Sequence, residues 1–260
     1  MNTRHLHIPV AWKSSVIVVL LFISLLIYWY ASSLVVPFGN NALPSNISLA
    51  AALLFWILLV YLVLSVPMRN ALKKCMRLLK SGRWAVVFVA YLSVHLIVYG
   101  LLLERILSSV TNYSDYPSIG YHAYFSFTEA FFPHTVGIAV IELLQNPSVV
   151  LVAPPYYELV LSAYAFFSAF IIAILVVLQL NLIAAIRRRG KSMMVLYPAI
   201  GVAGGATCCI SLPALLVNYG VIGVAVATFA AIEDIFLALY FLLPLAVMIS
   251  FYFSLPHSYR

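Results

Sequence analysis

Between Ser48 and Leu107 the chain reads SLAAALLFWILLVYLVLSV (48–66), PMRNALKKCMRLLKSGR (67–83) and WAVVFVAYLSVHLIVYGLLLERIL (84–107). The two outer runs are apolar and about 20 residues or more, long enough to cross a hydrocarbon core of about 30 Å as helices. Between them lie Arg69, Lys73, Lys74, Arg77, Lys80 and Arg83, with no acidic residue. A short basic loop between two apolar runs is the pattern that holds a loop in the cytoplasm. The expected fold is therefore a helical membrane protein with this loop inside.

Composition agrees. The chain is 65% hydrophobic and 8% charged, against about 25% charged in an average soluble domain, and its mean hydropathy is +1.10. Such a chain cannot cover a water-facing surface, so a lipid bilayer, the plasma or cytoplasmic membrane, is the expected solvent. No polar stretch is long enough for a separate soluble domain, and residues 1–260 read as one polytopic membrane domain. The net charge of +7 does not point to nucleic acid, because the basic residues sit in short loops between apolar runs.

Working outward, the apolar runs give spans at about 14–37, 48–66, 84–107, 156–186, 193–217 and 221–253. The fold class is all-α, an integral membrane protein of about six transmembrane helices. An extracytoplasmic segment, about 108–155, contains an outer-side interfacial or re-entrant helical stretch, Phe125–Leu144. That stretch is not counted as a crossing, because Arg187-Arg188-Arg189-Gly190-Lys191 belongs inside. An odd number of spans must then separate it from the outer end of the third. With the N-terminus inside, 13 of the 14 basic residues fall on the cytoplasmic side and only Arg105 falls outside. A cleaved signal peptide ending near Ala31-Ser32-Ser33 is the competing reading of the first run, but about 23 apolar residues suit a full span better than an h-region. The last run is read as one crossing, with a break at Glu233-Asp234 or Pro244 as the alternative.

Ionisable side chains within spans are costly and are functional candidates by default. Cys208, Cys209, Glu233, Asp234 and His95 all fall in the middle or outer half of their spans. Adjacent thiols suit a soft or transition metal ion of the copper, zinc or mercury class, and a carboxylate or His95 would take up the protons released on binding. The competing reading treats the cysteines as packing residues and His95 as an interhelical hydrogen-bonding group. The stretch Gly201-Val-Ala-Gly-Gly-Ala-Thr-Cys-Cys-Ile-Ser-Leu-Pro213 resembles the paired-cysteine helix of mercuric-ion transport membrane proteins. The likeness covers about 15 of 260 residues. The chain lacks the second, cytoplasmic cysteine pair of those proteins. In the outer segment His122, Glu129 and His134 are further candidates, although Glu129 and His134 are five apart rather than at the i, i+4 spacing of a helical metal pair.

No Gly-rich phosphate loop, His-Glu-x-x-His or nucleophile elbow is present, so neither a nucleotide nor enzymatic activity is expected. Two functions remain. One is small-solute or soft-metal-ion handling, by transport or sequestration, through an intramembrane thiol and carboxylate site. The other is a non-catalytic accessory or structural subunit bound to other membrane subunits.

Overall fold

The computed structural model describes residues 10–35, 42–98, 121–127, 135–153, 157–187 and 230–256. They fall into two compact units, residues 1–69 with 127–147 and residues 70–126 with 148–260.

In the first unit, helices α1 (Val10–Ser33) and α2 (Ala42–Ser65) form a hairpin. Serine hydroxyls on them bond within the helix: Ser24 donates to the Leu21 carbonyl at 2.8 Å, and Ser33 to that of Tyr30 at 2.7 Å. That economy suits a medium without water. Helix α2 begins six residues before the expected start at Ser48. Pro44 explains the difference, because the first turn of a helix has no internal partner for its N–H groups and accepts proline. A third helix, α3 (Val136–Gln145), lies against α1, and Tyr28, Ala51, Ala52, Ala139 and Leu143 form the core of this unit. Thr135 caps α3, its hydroxyl accepting from the Ile138 N–H at 3.4 Å. At ten residues and about 15 Å, α3 is too short to cross a bilayer core.

The second unit opens with α4 (Arg69–Leu79), followed by α5 (Gly82–Ser93), which continues as a π-helical turn over Val94–Val98. Cys75 on α4 is fully buried, and burial pushes its thiol from the ordinary 9.0 up to about 11. It is a neutral packing residue at physiological pH. Next comes an antiparallel sheet in the order β1 (His122–Ser126), β2 (Ser148–Ala153), β3 (Tyr157–Ser162). His122 pairs with Val152, and Val150 pairs with both Tyr124 and Val160.

The sheet corrects the all-α expectation. Residues 157–162 were expected to begin a span, but helix α6 starts only at Ala163 and runs to Arg187. A short apolar run cannot be assigned by periodicity alone. Here Val149, Val150, Val152 and Val160, β-branched residues that favour strands, find partners across a ladder. Ser162 then starts the helix, its hydroxyl accepting from the Ala165 N–H at 3.1 Å.

Helix α6 is the centre of this unit. About 67% of its apolar window is buried, against 22% in α1 and in α2. It packs against α5 and against α7 (Ala230–Ser254). Phe88 meets Phe170, and Leu96 packs on Ala165, so α5 and α6 run antiparallel. Tyr164 donates to the Phe241 carbonyl at 2.6 Å, and Gln179 donates to the Phe251 carbonyl at 3.3 Å and to Ser254, so α6 and α7 run parallel. Helix α7 continues through both Glu233-Asp234 and Pro244, where a break was the alternative. Pro244 removes a donor and crowds the preceding turn, and the Tyr164 hydroxyl supplies a donor to that turn.

Among the described residues, three helical stretches are long and apolar enough to cross a membrane: Ser14–Ser33, Ala42–Ser65 and Ala163–Ala184. Gly82–Leu96 and Pro244–Ser254 are shorter apolar stretches of the same character. The expected span 193–217 and the far end of 84–107 lie outside the described residues.

Candidate functional site

His95 stands on the π-helical turn that ends α5. It is fully buried, and its Nδ1 lies 3.1 Å from the Tyr91 hydroxyl, one helical turn earlier. The two rings are 5.6 Å apart, centroid to centroid. Either the phenol donates to an unprotonated Nδ1, or an Nδ1–H donates to the phenol oxygen; the tautomer decides. The adjoining residue, Leu96, packs on Leu161 and Ala165, which brings this turn to the start of α6. A π turn inserts an extra residue into the helical repeat and re-aims the side chains on it, and such turns concentrate at functional sites.

Glu233 and Asp234 lie in the first turn and a half of α7. They precede Phe241 by eight and seven residues, which is about 10 Å along the helix axis. Phe241 is level with Tyr164, so the backbone of this first part of α7 lies beyond the start of α6. Cys208, Cys209, Glu129 and His134 lie outside the described residues. His122 opens β1 and is exposed. Among the described residues, no group of three or more His, Cys, Asp or Glu comes together as a metal site.

Tyr91 was missed in the sequence, although its i, i+4 spacing from His95 was a usable signal. Gln179 and Tyr164 were missed as well. Each is a polar side chain in an apolar run, and each turns out to tie α6 to α7. Compared with protein-family models, curated proteins and solved structures, the chain has no match in any of the three.

Proposed function

We propose that the chain is a multi-pass protein of the plasma or cytoplasmic membrane that handles a small solute or soft metal ion along a polar path inside its helical bundle. The observation that carries this is the buried His95, on a π turn of an apolar helix, paired with Tyr91. A titratable imidazole in such a place is costly unless it is used. The seven- and eight-residue separation of Asp234 and Glu233 from Phe241 along α7 favours successive stations over one coordination sphere. In this reading the carboxylates attract the cation, His95 with Tyr91 exchanges protons, and Cys208 and Cys209 bind the soft ion as thiolates.

The antiparallel α5–α6 pair and the parallel α6–α7 pair support the scheme of alternating crossings. Parallel neighbours call for an odd number of crossings between them, the number that the expected span 193–217 provides. From Ile235 to its end, α7 carries no charged residue, which supports its reading as a span.

The test is the copper, zinc and mercury content of the purified full-length chain after exposure to each ion. We expect one of these ions to be retained and lost when Cys208 and Cys209 are both replaced by serine, with His95→Ala slowing uptake into vesicles. Metal content unchanged by the double replacement contradicts the metal reading.

A second reading, an accessory subunit of a larger membrane assembly, is favoured by a separate observation. Among the described residues strand β1 is a sheet edge, with Tyr121 just before it 81% exposed and Tyr124 and Phe125 also exposed. Gentle detergent extraction would then yield a hetero-complex, and a clean single-component particle would argue against it.

A further inference from the structure

Helix α4 has a basic side, on which Met76 is also exposed, and an apolar side. Arg69, Lys73, Arg77 and Lys80 project on one side at spacings of four, four and three residues, and all four are exposed. Lys74 flanks them and is half-buried. The opposite side holds Ala71 and Cys75, both with no exposed surface, beside the half-buried Leu72, Leu78 and Leu79. The helix is thus fastened to the protein by its apolar side and presents its cations outward. Past its end, the Arg83 guanidinium lies 5.6 Å from the ring centre of Trp84, an aromatic residue of the kind enriched where bilayer meets water. No carboxylate precedes Glu104 in the chain.

Connectivity limits what can cover it. Helix α2 ends at Ser65, four residues before α4, and α5 begins three residues after it. On the reading of α2 and α5 as spans, on which this inference rests, a short basic helix so joined stays within reach of the headgroup layer. We infer that the cationic face of α4, with Arg83, is a binding site for the headgroups of anionic phospholipid. A lipid phosphate carrying a net negative charge complements several ammonium and guanidinium groups at once. A zwitterionic headgroup brings its own cation and gains far less. A soluble anion would have the same phosphate chemistry, but it lacks the acyl chains that hold a lipid beside α5.

The test uses the full-length chain in neutral detergent, incubated with equal amounts of phosphatidylglycerol and phosphatidylcholine, with retained lipid read by native mass spectrometry. The expected result is at least about a tenfold preference for phosphatidylglycerol, weakened steadily by added salt. Lys73→Gln alone should reduce the preference about fivefold, and the combined R69Q/K73Q/R77Q/K80Q/R83Q chain should show none. Equal retention of the two lipids by the wild-type chain overturns the inference, and so does a preference unchanged by salt and by Lys73→Gln. Displacement of phosphatidylglycerol by an equal concentration of glycerol phosphate would overturn the lipid as the source. Insertion into phosphatidylcholine nanodiscs separates the two layers of reading. A chain that inserts but shows no lipid preference defeats this inference alone, whereas one that fails to insert defeats the spans beneath it.

Discussion

Trp56→Ala is expected to lower stability by about 3–5 kcal/mol, the usual cost of removing a buried tryptophan. The indole is nearly fully buried, and its Nε1–H is shared between the carbonyls of Leu143 at 3.1 Å and Asn146 at 3.0 Å. Those carbonyls belong to the end of α3, where the last turn of a helix leaves acceptors without internal partners. Phe55 also packs edge-on against the indole, 5.8 Å away. Alanine would therefore open a cavity, remove an aromatic contact and strip two carbonyls of their donor in one step. Trp56→Phe keeps most of the volume and should cost less, about 1–3 kcal/mol, the penalty for acceptors left without a partner. Thermal unfolding in detergent reads both. An alanine variant within about 1 kcal/mol of wild type would mean that α3 is not anchored through this ring.

Ala169→Leu is the second large effect. Ala165, Ala169 and Ala173 recur every four residues on α6, and none has any exposed surface. They form a strip of small side chains on the helix against which α5 and α7 pack. Between apolar helices in lipid there is little hydrophobic gain from contact, so close backbone approach through small residues supplies the attraction. A leucine there pushes the helices apart or forces strained rotamers, and the expected loss is about 1–3 kcal/mol. The same change at Ala50, which is exposed on α2, should stay within about 0.5 kcal/mol. Equal tolerance at the two positions would contradict the central place of α6.

The long helices were legible because their signal is coarse. Twenty or more residues without a charge, as in α1, α2 and α6, read as spanning-length helices whatever their detailed packing. Features that depend on a partner elsewhere in the chain were not legible. Val149–Val152 and Leu159–Leu161 are too short for periodicity to separate strand from helix. The apolar run begins at Ser48, so it did not mark the first turn of α2, which includes Pro44. For the site, His95 stood out as an imidazole in an apolar run. Its pairing with Tyr91 needed the helix geometry, and the π turn leaves no sequence mark. The directions of α5, α6 and α7 came from Phe88, Tyr164 and Gln179, residues whose partners lie about 70–80 positions away.

The proposed function depends on the apolar helices crossing a bilayer with the α4 turn on the inner side. Impermeant maleimide labelling of intact cells tests this most directly, using single cysteines at Asn40 and at Ser81 in a chain whose three native cysteines are alanine. The account predicts that Asn40→Cys is labelled from outside, and that Ser81→Cys, in the exposed turn after α4, reacts only after the membrane is opened. Labelling of Ser81→Cys in intact cells would contradict it.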